Sequence, residues 1–150
     1  MRNKTLSVGL CNKAQNIPNY LDTASDDICV LVQIESKKGL ENIDEILTVD
    51  GIDGIFIGPA DLSAALGYRG NPAHPVVQNI IVDLIQKIRA SGKAAGILSA
   101  DEKLAQSYLE LGTEFVAVGV DTSLLMKSMK QVLAKFKKIE EKTVSSPSVY

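Results

Sequence analysis

The stretch Gly51-Ile52-Asp53-Gly54-Ile55-Phe56-Ile57-Gly58-Pro59-Ala60-Asp61-Leu62-Ser63 decides the fold class. A glycine turn leads into an apolar run over 52–57, rich in β-branched and aromatic residues, that stops at Gly58-Pro59, a pair unsuited to a central strand. An acid, Asp61, follows at once. The run before it, Ile28-Cys29-Val30-Leu31-Val32-Gln33-Ile34, likewise ends on an acid, Glu35. If both runs are neighbouring parallel strands, both carboxylates emerge at the carboxyl edge of one sheet, where α/β proteins place ligands and chemistry.

Working outward, short β-rich runs alternate with helical periodicity four times from residue 28 onward, the pattern of βα units on a parallel sheet. The strand over 28–34 is followed by a helix from near Lys37, with Leu40, Ile43, Ile46 and Leu47 on one face and Gly51 at its end. After the 52–57 strand come a short helix to Gly67 and a turn through Gly70, Asn71 and Pro72. Pro75 opens a long helix whose Val76, Ile80, Ile81, Leu84, Ile85 and Ile88 keep helical period until Ser91-Gly92. A third strand spans 94–98, and Asp101 is placed to cap the helix carrying Leu104, Ala105, Tyr108 and Leu111. The fourth strand, 115–120, hands over through an Asp121-Thr122 cap to a helix with Leu125, Met129, Val132 and Phe136 on one stripe.

The expected organisation is an irregular segment over 1–27 with one helix around 19–24, four βα units over 28–140, and a tail over 141–150. Strands this apolar are expected to be covered on both faces. A (β/α)8 barrel needs eight units and typically about 250 residues, so four units make either a small open sheet or half a barrel.

A chain of 150 residues with 45% apolar and 5% aromatic content can bury one core. Its net charge of −2 provides no broad basic field, which argues against nucleic acid and for a small-molecule partner. Cys11 and Cys29 are far apart, and Cys29, inside an apolar run, reads as a small buried hydrophobe; this points to a reducing cytoplasm. No run approaches the roughly 20 apolar residues of a membrane span, and no signal-peptide apolar region follows the first residues. GxGxxG, Walker, CxxC and HExxH patterns are absent, which removes phosphate cradling by glycine loops, thiol redox chemistry and zinc hydrolysis.

Two carboxylates converging from adjacent units suit a hard divalent cation such as Mg²⁺ or Mn²⁺, leaving coordination positions for water and a chelating substrate. Each acid also has a plain structural role available: Asp61 as N-cap of a helix over 62–66, Glu35 as a favourable acid in a helix first turn. Gln33 lies two residues before Glu35 and so faces the same side of the sheet. The small side chains of Gly58-Pro59-Ala60 would let backbone N–H groups approach an anionic oxygen, or simply make a tight turn. His74, the only histidine, follows a turn and precedes Pro75, so it reads as a surface or capping residue and not a general base. Arg69 and the set Lys127, Lys130, Lys135, Lys137 and Lys138 read as solvated.

The stretches Leu31-Val32-Gln33-Ile34-Glu35-Ser36, Gly51 through Ser63 as quoted, Gly70-Asn71-Pro72, His74-Pro75, Gly96-Ile97-Leu98 and Phe115-Val116-Ala117-Val118-Gly119-Val120-Asp121-Thr122 carry a resemblance. They are similar to the class II metal-dependent pyruvate aldolases, a family with 2-keto-3-deoxy-L-rhamnonate and 4-hydroxy-2-oxoheptanedioate aldolases and citrate lyase β-like members. Ile17-Pro18-Asn19-Tyr20-Leu21 and Val149-Tyr150 resemble the rhamnonate branch most. The resemblance implies an α/β fold corresponding to the second half of a (β/α)8 TIM barrel. It implies a divalent cation (Mg²⁺, or Mn²⁺ or Co²⁺) on Glu35 and Asp61. Substrate contacts would come from Gln33, Gly58, Ala60, Asp61 and Leu98, the last lining the aldehyde side. The activity implied is retro-aldol cleavage of a 2-keto-3-deoxy sugar acid to pyruvate and an aldehyde. The family's histidine base and arginine would lie outside this chain. As partners it implies a homo-oligomer in which the final helix packs on a neighbour, or a complementing N-terminal half. Two other readings stand beside it: a non-catalytic α/β module that binds metal or an oxyacid, and a small flavodoxin-like sheet whose acids only cap helices.

Overall fold

A computed structural model describes residues 18–137. Its centre is a four-stranded sheet of β1 (Leu31–Ile34), β2 (Gly54–Ile57), β3 (Ala94–Leu98) and β4 (Phe115–Ala117), all parallel and in the order β1-β2-β3-β4. Sequential order means each crossover steps one strand in the same direction, as in a barrel wall. A flavodoxin-like sheet reverses direction at a switch point, so that reading is overturned.

The helices are α1 (Tyr20–Thr23), α2 (Lys37–Glu41), α3 (Ile43–Thr48), α4 (Pro59–Ala65), α5 (Pro75–Ala90), α6 (Glu102–Glu110) and α7 (Asp121–Phe136). Strand alternation sends Ile34, Ile55, Ile57, Ala95 and Ile97 to the outer face of the sheet. There they meet Leu62 of α4, Val77, Ile81, Leu84, Ile85 and Ile88 of α5, and Tyr108 of α6 in one buried cluster. The inner face carries Leu31, Gln33, Phe56, Gly96, Leu98 and Phe115. Contrary to the expectation of cover on both sides, it is open: Leu31 is 44% and Phe115 53% exposed. Four strands curve too little to enclose their own lumen. On that face Phe56 and Phe115 tilt together at 5.7 Å across β3. Gly96 makes this contact available, since a Cβ there would lie 2.8 Å from the Phe56 ring.

At the amino edge of the sheet the same device occurs twice. Asp53 accepts from the Val30 amide at 2.7 Å and Glu114 from the Ala95 amide at 2.8 Å, each carboxylate tying the start of its strand to the neighbouring chain segment. The first of these explains one difference from the sequence reading. Val30 spends its N–H on a side chain, so the ladder starts at Leu31, and Cys29 lies before the strand and is exposed, not buried.

The expected helix from Lys37 is broken at Asn42, whose φ of −100° and ψ of 10° separate α2 from α3. α4 starts earlier than expected, at Pro59 with Gly58 as N-cap, and Asp121 is the first residue of α7 with Val120 as its cap. α7 buries none of its residues, and Phe136 is 84% exposed, so its apolar stripe does not cover its own sheet. Among the described residues no helix is long and apolar enough to cross a membrane. Cys11, Lys138 and the expected tail over 141–150 lie outside the described residues.

Candidate active site

The carboxyl edge of the sheet is assembled from the ends of β1, β2 and β3. β1 delivers Gln33 on the inner face and Glu35 just beyond the last paired residue, Ile34. Opposite, the Gly58 amide donates to Ile34 O at 3.1 Å, extending the ladder by one bond and fixing where α4 begins.

Gly58 is a contact point. A Cβ on it would stand 3.0 Å from Gln33 Nε2, 3.0 Å from Glu35 Oε2 and 3.2 Å from Glu35 Cβ. Both side chains therefore fold over the bare backbone of Gly58, three residues before Asp61. Neither acid fills the helix role offered to it: α4 has Gly58 as N-cap and no side-chain cap, and α2 has no acid in its first turn. Ser36 Oγ accepts from the Gly39 amide at 3.1 Å as N-cap of α2, leaving Glu35 outside the helix, and Asp61 is the third residue of α4. Among the described residues neither carboxylate is engaged in a hydrogen bond or an ion pair. Glu35 is half-buried and Asp61 exposed.

Of the expected N–H donors in Gly58-Pro59-Ala60, Gly58 is committed to Ile34 O and Pro59 has none. The first intrahelical bond of α4 is Leu62 N–H to Gly58 O, so the Ala60 and Asp61 amides are the ones left pointing out of the helix start. Ala60 and Leu98 line a cavity of about 260 Å³ that runs between α4, the 70–73 turn and α6. Gln33, Glu35, Gly58 and Asp61 lie outside its wall. The sequence-predicted residues thus form two neighbouring groups: an acid and amide pair over Gly58, and a pocket that begins at Ala60 and Leu98.

His74 is where the sequence put it. Its Nδ1 accepts from the Val76 amide at 3.2 Å as N-cap of α5, and its ring stacks on Tyr68 at 3.9 Å. Arg69 is exposed. Sequence reading missed the cavity's back wall, where Tyr108 O–H donates to Gln78 Oε1 and Gln78 Nε2 donates to Pro72 O, both at 2.8 Å. These partners are far apart in sequence, and the only hint was a tyrosine on an apolar stripe. Burial raises the Tyr108 pKa, the Gln78 bond lowers it, and the Asp101 charge raises it again, with a net upward shift. Tyr108→Phe leaves the Gln78 acceptor without its donor, and an expected loss of about 1–2 kcal/mol is measurable by urea unfolding.

Residues 7–128 match the family model HpcH/HpaI aldolase/citrate lyase. A Pseudomonas aeruginosa hydroxypyruvate/pyruvate aldolase is 58% identical over 135 residues, covering 90% of this chain and 50% of the relative. An Escherichia coli 4-hydroxy-2-oxo-heptane-1,7-dioate aldolase is 55% identical over 134 residues, covering 89% and 50%. The crystal structure of a family protein from Burkholderia cenocepacia J2315 superposes with a TM-score of 0.74 at 34% identity, over 79% of this chain and 46% of that one. The chain spans about half the length of the relatives it matches, in keeping with four βα units of an incomplete barrel. On its sequence and its fold, it belongs to the HpcH/HpaI aldolase/citrate lyase family.

Proposed function

We propose that this chain is the metal-binding and pyruvate-binding half of a class II pyruvate aldolase, a carbon–carbon lyase that cleaves a 4-hydroxy-2-oxo acid to pyruvate and an aldehyde. One observation carries the reading: Gln33 and an unpaired, half-buried Glu35 lie over a glycine whose Cβ would stand only 3.0 Å from each, at the strand end that leads to Asp61.

That donor set fits a hard divalent cation, Mg²⁺ or in its place Mn²⁺ or Co²⁺. Two carboxylates from adjacent elements offset the charge without filling a six-fold shell. Glu35 and Asp61 would hold it; when bound, the cation supplies Lewis-acid stabilisation of negative charge on the 2-oxo oxygen. The remaining work falls to the chain's own groups. The Ala60 and Asp61 amides, at the start of α4, donate to the pyruvate carboxylate. Gln33 offers an amide to the same anion, and Leu98 excludes water from the aldehyde side. In the cleavage itself the C3–C4 bond breaks, the C4 hydroxyl loses its proton as it becomes the aldehyde, and the electron pair passes to the pyruvate half as its enolate. The enolate takes a proton at C3 to become pyruvate. The base and the arginine belong, in this reading, to the βα units absent from this chain, and a turnover-competent particle contains both halves.

Within the family the substrate class proposed is a 2-keto-3-deoxy sugar acid such as 2-keto-3-deoxy-L-rhamnonate. The same reading assigns the exposed apolar face of α7 to a neighbouring copy in a homo-oligomer. The competing module that binds metal without turnover shares the site and differs only in what the completed barrel does.

Titration with Mn²⁺, followed by the loss of the free-ion electron paramagnetic resonance signal, tests the site directly. Saturable binding is expected for the native chain, with at least about tenfold weaker binding in Glu35→Gln and in Asp61→Asn. Identical titrations for all three proteins would defeat the assignment.

A further inference from the structure

The cavity that opens at Ala60 and Leu98 is lined mainly by apolar groups. We propose that it selects the uncharged, carbon-rich aldehyde half of the substrate and discriminates against a carboxylate at that end. This rests on the reading of Ala60 and Leu98 as substrate contacts and adds to it what the far end of the substrate must be.

Most of the wall's polar side chains already have hydrogen-bond partners. Tyr108 O–H and Gln78 Nε2 donate to Gln78 Oε1 and Pro72 O. Ser99 Oγ donates to Asp101 O at 3.1 Å. One carboxylate oxygen of Asp101 accepts from the Lys103 and Leu104 amides at 2.9 Å each. An anion entering here would lose its hydration and find no charged donor in return, a penalty far larger than that of an apolar chain. No lysine, arginine or histidine lines the cavity, and the one ionisable acid that does, Asp101, repels an anion. The neutral Asn71 amide, at the exposed rim, can still meet a hydroxyl. At about 260 Å³ the space is near the lower end for small-molecule sites, matched to a short substituent.

The distinction separates possible substrates. A 1,7-dioate, as in the name of the Escherichia coli relative, has a second carboxylate at the end remote from the 2-oxo acid. A deoxy sugar acid ends in hydroxyl and methyl groups. The cavity fits the second kind.

The test needs no metal and no second half of the barrel. Protein-observed NMR on the whole chain compares n-butanol with 4-hydroxybutyrate, which carries a carboxylate in place of butanol's terminal methyl, following the Tyr108 ring and the Leu104 methyls. Butanol is expected to shift both sets of resonances and to bind at least about tenfold more tightly than 4-hydroxybutyrate. Ala73→Trp, at an exposed turn position in the cavity wall, should abolish the shifts at an unchanged unfolding midpoint. Equal or tighter binding of 4-hydroxybutyrate overturns the proposal, and so does a butanol response confined to Phe56 and Phe115 on the inner face. The comparison in the native chain decides even if the tryptophan variant does not fold. The metal-site reading fails separately, in the Mn²⁺ titration, so the two outcomes are distinguishable.

Discussion

Gly58→Ala is expected to weaken Mn²⁺ binding by about tenfold while leaving the protein folded. The added methyl would crowd Glu35 Oε2 and Gln33 Nε2, at 3.0 Å from each, and Glu35 Cβ at 3.2 Å, so these atoms must shift by a few tenths of an ångström. The ends of these side chains are free to swing away, so the methyl is accommodated by moving the proposed ligand rather than the strand. Backbone strain is not part of the effect, because Gly58 has a φ of −101°, open to any L-residue. Alanine is a poorer N-cap than glycine, a cost of order 1 kcal/mol or less, and Gly58 has no capping side chain to lose. Measured together, thermal unfolding and metal titration separate the two effects. A variant that keeps native affinity would mean that the Glu35 position over Gly58 is unimportant to the ion, and the donor set would need to be sought elsewhere.

The legible parts of this fold were those set by local chemistry. Asp101 was read as a cap and accepts the Lys103 and Leu104 amides; Pro75 was read as a helix start and stands at the first position of α5; β3 was read over 94–98 and is found there. Each depends on residues within one turn of chain. The misreadings share a different cause. Asp61 was offered as a cap because it precedes an apolar helix, but Pro59 also suits a first helical position, and it moved the start three residues back. Val30 looked like strand, yet its amide is taken by Asp53, a residue far along the chain. The α7 stripe announced a buried face without saying against what. Glu35 and Asp61 were visible as acids at strand ends, but the Gly58 cradle joining Gln33 and Glu35 depends on the register of β1 against β2. The cavity depends on Gln78 meeting Tyr108, a tertiary contact that no periodicity encodes.

The largest expected effect concerns the open inner face. Mixed with the half of the Escherichia coli relative that it does not match, this chain is expected to form a one-to-one complex that releases pyruvate, where each half alone releases none. Among the described residues β1 and β4 are the edge strands of the sheet, and edges of this kind are templates for further strands. The surface between them is apolar: Leu31 and Phe115 are 44% and 53% exposed, and burying a side chain of this size contributes about 1.5–3 kcal/mol. Four further parallel units would pair both edges at once and close the lumen over Phe56, Phe115 and Leu98, drying the space in which Gln33 and Glu35 lie. Phe115→Lys places a charge in that lumen. Because Phe115 faces away from the outer cluster of α5 and α6, the variant should keep its own unfolding midpoint within about 1 kcal/mol while losing the complex and its activity. Sedimentation of the mixture reads the association and a coupled pyruvate assay reads the chemistry. A complex that forms equally well with Phe115→Lys would show that the halves meet through another surface, such as α7. A stable complex of native halves that binds Mn²⁺ yet releases no pyruvate would favour the non-catalytic binding module over the lyase.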